Sequence, residues 1–175
     1  MEALYFGSAK GGLNHGGTGP GPWIMADLEQ GLWGSNITAS LEPTISHTFV
    51  TALFKGASGS APGHFALKGG DAQQGPLQVY WDGPRPHGYA PMKKQGALIL
   101  GIGGDNSDSS EGTFCSFLFS SPLSHHRVDD CAHTIHPHAS PSPLPADEGA
   151  ILSGYTSDAT DAALQANIVA AGYAQ

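Results

Sequence analysis

The chain has little positive charge, few charged residues of either sign and no long apolar run. Of its 175 residues, 7 are Lys or Arg and 15 are Asp or Glu, which gives a formal net charge of −8 at pH 7. Nucleic-acid-binding proteins need the opposite balance, because their affinity comes from neutralising phosphates, so that class is all but excluded. No apolar run approaches the roughly 18 residues of a membrane-spanning helix, and no signal-peptide pattern follows Met1.

Glycine and proline are abundant instead. The chain contains 25 Gly and 13 Pro, and only 13% of its residues are charged. This composition argues against a helical bundle or a coiled coil, because both need charged faces and few helix breakers. The length suits one domain with a core of its own. We therefore expect a turn-rich, all-β domain.

Short β-branched or aromatic runs, each bounded by turn residues, predict strands with the spacing of a β-sandwich or jelly roll. The predicted strands are Ala3–Gly7, Trp23–Leu28, Ile45–Lys55, Phe65–Lys68, Leu77–Trp81 and Ala97–Ile102. Apolar and polar residues alternate from Thr44 to Leu53, which predicts one buried and one solvent-facing side for that strand.

A short helix is predicted at the C-terminus. Ser157 can cap it, and Asp158 and Asp161 fall in its first turn, where carboxylates are favoured. Its predicted apolar side comprises Leu164, Ile168 and Ala171.

Three carboxylates are candidates for chemistry. Asp27 and Glu29 are two residues apart in a strand pattern, so both face the same side of a sheet. Asp105 follows the run 97–104, where glycines after a buried strand present a carboxylate in a cleft. Taken alone, the first pair fits a solvent-facing strand end equally well, and Asp105 fits an ordinary turn.

Two carboxylates on separate strands of a sandwich are the arrangement that glycoside hydrolysis needs. Aromatic side chains could stack on a sugar, although such residues more often belong to the core. The aromatic candidates are Trp23, Trp33, Tyr80, Trp81 and Tyr89.

Other motifs are weaker. The run 101–104 imitates a dinucleotide-binding fingerprint, but Asn106 replaces its third glycine and no helix pattern follows. The sequence from Cys131 to His138 contains one Cys and three His and suits zinc, yet its Ser/Pro-rich surroundings offer little support for such a site. Asn36 begins a glycosylation sequon.

Two long motifs resemble a known family. They are Gly21-Pro-Trp-Ile-Met-Ala-Asp-Leu-Glu29 and Gly96-Ala-Leu-Ile-Leu-Gly-Ile-Gly-Gly-Asp-Asn-Ser107. The chain is similar to the α-L-arabinofuranosidase B catalytic domain of glycoside hydrolase family 54 over residues 1–114 and 148–175. The resemblance implies part of a concanavalin-like β-sandwich that removes terminal α-L-arabinofuranosyl groups from arabinan and arabinoxylan with retention. It implies an extracellular, monomeric enzyme without metal or organic cofactor.

The resemblance also implies roles for single residues. Glu29 falls on the family nucleophile, Asp105 on the general acid/base and Asp27 on a substrate-contacting carboxylate. Gln30 stands where the family usually has a sugar-contacting Asn, and a sugar-lining Trp aligns near 14–15, where this chain has Asn and His. The remaining implied sugar contacts are Gly104 and Asn106.

Residues 115–147 interrupt the resemblance. These 33 residues stand where the family has one Tyr, and their end residues, Cys115 and Asp147, fit a Tyr codon split by a translated intron whose length is divisible by three. We expect this segment to be an intron-derived, poorly packed insertion. The family domain is also longer than this chain, so we expect an incomplete copy without measurable activity on its own. A carbohydrate-binding sandwich without catalysis and a metal-binding protein are the alternatives.

Overall fold

The computed structural model describes residues 2–9, 17–28, 31–35, 42–57, 63–88, 113–119, 146–151 and 155–172. The strands in this part of the chain are β1 (Glu2–Gly7), β2 (Trp23–Leu28), β3 (Gly31–Trp33), β4 (Phe49–Ala57), β5 (His64–Asp71), β6 (Gln78–Pro84), β7 (Thr113–Phe119) and β8 (Ala146–Ile151). A 3₁₀ turn spans Pro86–Gly88, and helix α1 spans Asp158–Ala171.

The strands form two sheets. The first sheet is antiparallel, with the order β1-β2-β3. The second has the order β6-β5-β4-β8-β7, in which β4, β5 and β6 are antiparallel neighbours, whereas β8 runs parallel to both β4 and β7. The helix is the only α-helix in the described ranges. The predicted all-β class with a short C-terminal helix is therefore confirmed.

The two sheets pack face to face around a shared apolar core. From the first sheet, alternate residues of β2 point inwards together with Trp33. From the second sheet, Val50, Phe65 and Leu67 meet them. Each of these side chains is at most 2% exposed. Fully burying such a side chain contributes about 1.5–3 kcal/mol, so this layer is the main source of stability in the sandwich.

Polar contacts fasten the two sheets at their margins. Glu2 of β1 and Arg85, which follows β6, form a buried ion pair with Oε1 and Nη1 2.5 Å apart. At the other margin, the amide of Ile45 donates to the carbonyl of Pro22 at 2.7 Å. Thr18 donates its amide to the carbonyl of Glu42 at 2.8 Å. The two backbone bonds of Pro22 and Thr18 fix the position at which β2 begins.

Helix α1 forms as the local sequence predicts, but its buried side is more polar than expected. The Ser157 hydroxyl caps the helix by accepting from the amide of Thr160, and Gly172 ends it with a φ of 66°. The buried residues are Asp161, Gln165 and Ile168. Of the predicted apolar side, Ile168 is buried, Leu164 is half-buried and Ala171 is exposed.

The predicted strands agree with the structure in most positions. β1, β2, β5 and β6 lie within a few residues of their predicted bounds. The strand predicted at Ile45–Lys55 begins four residues later, and β3 was not predicted. The sequence also predicted a solvent-facing side for β4. This prediction was wrong, because Thr51 and Lys55 are each only 5% exposed. The strand predicted at Ala97–Ile102 lies outside the described residues.

The second sheet includes residues from both ends of the 115–147 segment. β7 continues into it as far as Phe119, and β8 begins at Ala146. Thr113 pairs with Ala146 and Phe114 with Asp147. Residues 120–145 lie outside the described part, so the expectation of a poorly packed insertion stays a prediction.

The close approach of the two sheets predicts a measurable coupling between Gly69 and Ile24. A methyl group at Gly69 would collide with Ile24 Cδ1 and with the ring of Tyr80. We expect Gly69→Ala to lower the free energy of unfolding by about 1–3 kcal/mol. Ile24→Val removes Cδ1, so the double variant should be at least about 0.5 kcal/mol more stable than the sum of the single effects. Urea unfolding of the four proteins measures this, and strict additivity would contradict the close contact.

Candidate active site

Asp27 lies near the end of β2, on the side of the first sheet that faces away from the second sheet. Its side chain is only 2% exposed. Antiparallel register places Ala3 of β1 and Leu32 of β3 beside it. The structure therefore places Asp27 in a buried position, so the interpretation of a solvent-facing strand end is wrong for this residue.

The surroundings of Asp27 on this face are apolar. A second buried cluster comprises Tyr5, Ala9, Trp23, Met25 and Leu32. The Trp23 indole donates to the carbonyl of Thr18 at 2.8 Å, and the Tyr5 hydroxyl accepts from the amide of Ala9 at 3.1 Å. These bonds hold the large rings in place along the face that leads to Asp27.

The connection from β2 to β3 is very short. Leu28 pairs with Gly31, so two residues, Glu29 and Gln30, join the strands. Glu29 and Gln30 lie outside the described residues, so the expectation that Asp27 and Glu29 share a face stays a prediction.

Other site residues predicted from the sequence lie outside the described residues. These are Glu29, Gln30, Asn36, Gly104, Asp105 and Asn106, together with the His/Cys-rich stretch. Within the described ranges, no group of three or more His, Cys, Asp or Glu could hold a metal ion.

Four of the five aromatic candidates lie in the described residues, and all four belong to or pack against the apolar clusters. Trp23 and Trp33 are at most 1% exposed and belong to the two apolar clusters. Tyr80 and Trp81 are half-buried and pack against the core between the sheets. Burial, followed by the nearby charge of Glu42, raises the pKa of Tyr80. The core interpretation is therefore confirmed for these four residues, while Tyr89 lies outside the described part.

A second polar cluster was missed by sequence reasoning and lies on the other side of the molecule. Lys55 of β4 and Lys68 of β5 both bind the carboxylate of Asp161 in α1, with 2.7 Å between each Nζ and Oδ2. Lys68 also binds Asp158 at 2.6 Å. Thr156 donates to the second oxygen of Asp161 at 2.6 Å. We call these five residues the helix-docking cluster.

The ionisation of the helix-docking cluster is set by its ion pairs. Burial alone would raise the pKa of Asp161, but hydrogen bonds from Lys55, Lys68 and Thr156 outweigh it and hold the pKa low. Burial alone would lower the pKa of Lys68, but Asp158 and Asp161 outweigh it and raise the pKa. Asp161 and Lys68 are therefore both charged at neutral pH.

The helix-docking cluster extends into an exposed network. The Tyr155 hydroxyl donates to Asp82 at 2.9 Å, and His64 Nε2 lies 2.5 Å from the same oxygen. Burial and the charge of Asp82 raise the pKa of Tyr155 well above its ordinary range. Lys55 Nζ lies 4.6 Å from the centre of the Tyr155 ring. Tyr155 and His64 both bind Asp82, so the polar atoms of this network have partners within it. Two sheets separate the network from Asp27, so it is not part of the candidate active site.

Comparison with known proteins agrees with this architecture. The profile of the family described as "Alpha-L-arabinofuranosidase B, catalytic" matches residues 1–130. The α-L-arabinofuranosidase of Hypocrea jecorina is 42% identical over 178 residues, which cover 99% of this chain and 28% of the relative. The α-L-arabinofuranosidase B of Emericella nidulans is 43% identical over 180 residues, with the same coverage.

A solved structure shares the fold. It is an arabinofuranosidase complexed with arabinofuranosyl-α-1,2-xylobiose, with a TM-score of 0.61 and 32% identity, and the match covers 99% of this chain and 29% of that one. The sandwich thus belongs with glycoside hydrolases. More particularly, the chain belongs to the α-L-arabinofuranosidase B catalytic-domain family, and it spans somewhat more than a quarter of the length of the curated relatives it matches.

The helix-docking cluster predicts an unequal effect of its two carboxylates. Asp161→Asn leaves two buried ammonium groups without their buried carboxylate partner, so it should cost about 3–5 kcal/mol of folding free energy. Asp158 contacts the same lysines, but its side chain is 81% exposed. Asp158→Asn should therefore have a much smaller effect. Urea unfolding compares the two, and equal losses would contradict the burial argument.

Asp161→Asn should also change how the free energy of unfolding depends on pH. Because the pKa of Asp161 is lowered in the folded state, its contribution is present above its ordinary pKa. That contribution is lost as the pH falls through the lowered value. When the pH is lowered from about 5 towards the lowered pKa of Asp161, the wild-type chain should therefore lose more folding free energy than Asp161→Asn does.

Proposed function

We propose that this chain forms part of an α-L-arabinofuranosidase active site and acts by a retaining double displacement. The observation that carries the proposal is the buried Asp27 at the end of β2, two residues before Glu29, in a chain of this family. Retention needs two carboxyl groups about 5–5.5 Å apart, one attacking the sugar and one moving protons. Glu29 is the proposed nucleophile and Asp105 the proposed acid/base.

The proposed reaction has two steps. In the first, the Glu29 carboxylate attacks the anomeric carbon while the Asp105 carboxyl gives its proton to the glycosidic oxygen, which leaves with the rest of the polysaccharide. In the second, the Asp105 carboxylate takes a proton from water, and the water oxygen displaces Glu29 from the sugar. Arabinose is released and both side chains return to their starting states.

The proposed role of the remaining residues is sugar binding. Asp27 is acceptor-only when ionised and would receive hydrogen bonds from ring hydroxyls. Gln30, Gly104 and Asn106 complete the proposed contacts. The apolar surroundings of Asp27 would strengthen each such bond because they exclude water. The proposed mechanism uses no metal and no organic cofactor.

The proposed substrates are terminal, non-reducing α-L-arabinofuranosyl groups of arabinan and arabinoxylan in the plant cell wall. The solved relative that was complexed with arabinofuranosyl-α-1,2-xylobiose supports this substrate class. We also propose an extracellular, monomeric protein that carries a glycan at Asn36. In the described residues, no helix has the length and apolarity to cross a membrane.

Substitution of the two proposed catalytic carboxylates tests their roles. The assay uses the 175-residue chain and, in parallel, a chimera in which residues 1–114 and 148–175, joined by one Tyr, replace the matching segment of the Hypocrea jecorina relative. Glu29→Gln should abolish turnover. Asp105→Asn should slow arabinan hydrolysis by about 10²–10⁴-fold but spare activated aryl arabinofuranosides, which need no proton on the leaving group.

Three results would distinguish the alternatives. Normal turnover by Glu29→Gln would refute the nucleophile assignment. Binding of arabinan without any hydrolysis by the active-site-intact chimera would favour a non-catalytic carbohydrate-binding sandwich. Robust activity of the 175-residue chain alone would contradict the expectation that it is an incomplete copy.

We further propose that residues 115–147 are translated intron. A transcript read across Phe114–Glu148 should contain a spliced form that encodes one Tyr in their place. The chain with this replacement should also unfold more cooperatively, because a Pro/Ser/His-rich segment cannot bury enough apolar surface to offset its ordering entropy. A transcript population that always retains the segment would refute the proposal.

A further inference from the structure

The segment that follows β6 contacts both outer strands of the first sheet. Arg85 forms the buried ion pair with Glu2 of β1. Two residues further along the chain, His87 stands edge-on to Trp33 of β3, with the ring centres 5.3 Å apart. Because β2 lies between β1 and β3, these two contacts span the width of this three-stranded sheet. We call residues 85–87 the sheet clamp.

Both contacts of the sheet clamp lie on the inner side of the first sheet, on either side of the Asp27 position. Trp33 pairs with Ala26, and both belong to the core between the sheets. Glu2 pairs with Leu28, which belongs to the same core, and paired residues share a face of a sheet. Asp27 lies between Ala26 and Leu28 along β2 and points to the opposite side. The sheet clamp therefore supports β2 from behind at the residues that flank Asp27.

The sheet clamp is itself anchored to the second sheet. The amide of Arg85 donates to the carbonyl of Gly63 at 2.7 Å, and its guanidinium carbon lies 6.0 Å from the centre of the Phe54 ring in β4. His87 has a left-handed backbone conformation, with a φ of 54°, which is uncommon for a residue with a Cβ. Backbone strain of this kind persists only where the surrounding structure holds it, and it is concentrated near functional sites. The clamp thus transmits the position of the second sheet to the first.

We propose that Arg85 and His87 are positioning residues for the reaction, because they hold the inner side of the first sheet where Asp27 projects from its outer side. The inference rests on the proposed function, in which Asp27 receives hydrogen bonds from the sugar. Without the ion pair to Arg85, the end of β1 loses an attachment to the second sheet, and the backbone beside Asp27 gains freedom. A displacement of about 1 Å at a positioned group costs about 100-fold in rate.

Glu2→Gln tests the sheet clamp, and Asp161→Asn is its matched control. Each change replaces a carboxylate by an amide and removes it from a buried cation, and each carboxylate side chain is 2% exposed. Asp161 belongs to the helix-docking cluster, which two sheets separate from Asp27. His87→Asn is a milder second variant. It removes the ring contact with Trp33, but Asn adopts the left-handed conformation readily.

The experiment measures kcat and KM of these variants in the chimera with an aryl α-L-arabinofuranoside, each with and without Asp27→Asn. Circular dichroism gives the folded fraction. We expect Glu2→Gln to lower kcat/KM per folded molecule by about 100-fold and His87→Asn to lower it by a smaller factor. Asp161→Asn should keep the parental kcat and KM. In the Asp27→Asn background, Glu2→Gln should have little further effect, because the clamp acts through Asp27.

The outcomes separate the inference from the proposed function. If Glu29→Gln remains active in the same chimera, the proposed function fails and the inference with it. If Glu29→Gln is inactive but Glu2→Gln behaves like Asp161→Asn, the inference is overturned while the proposed function stands. An undiminished effect of Glu2→Gln in the Asp27→Asn background also overturns the inference. If a buried-carboxylate variant does not fold, His87→Asn decides: a parental kcat/KM overturns the inference, and a reduction that disappears in the Asp27→Asn background supports it.

Discussion

The sandwich depends on β2, whose two sides are both buried. All six of its residues lie away from solvent. Ile24, Ala26 and Leu28 face the second sheet, and the alternate positions face the apolar cluster that leads to Asp27. A slip of one residue in register would exchange these two sets and place Asp27 in the core between the sheets. The packing that stabilises the fold therefore also determines which way the candidate active-site carboxylate points.

Helix α1 is attached to the sandwich by a different kind of interaction. Ile168 is its one buried apolar side chain, and its other buried residues, Asp161 and Gln165, are polar. Gln165 donates to the carbonyls of Asp71 and Gly75, and Asp161 forms ion pairs with the two buried lysines. Buried ion pairs add little net stability over an apolar contact, but they tolerate no loss of a partner. Specific polar contacts, rather than a broad apolar surface, therefore hold the helix in one position.

The strands and the helix that were predicted correctly are those whose sequence patterns span only a few neighbouring residues. The short apolar run of β2, the turn residues around β5 and the Ser157 cap all operate within a few residues of the chain. β3 has three residues, too few for a pattern to emerge, and Ile45 to Thr48 precede β4 although they share its alternation. The buried lysines were not predictable in this way, because their partner lies about a hundred residues further along the chain. Asp27 could be assigned to a face, but its burial depends on packing from distant segments.

The register of β8 gives the 115–147 segment a physical interpretation. β8 pairs with β4 through Ala146, Asp147 and Glu148. In an uninterrupted chain with one Tyr between Phe114 and Glu148, Phe114 and that Tyr would occupy the register positions of Ala146 and Asp147. The strand beside β4 would then be continuous, and β7 would not be needed as a separate edge strand. If residues 115–147 are an insertion, as proposed, they would replace the first residues of one strand and add a second strand start beside it, which is the outcome expected of an insertion within a strand.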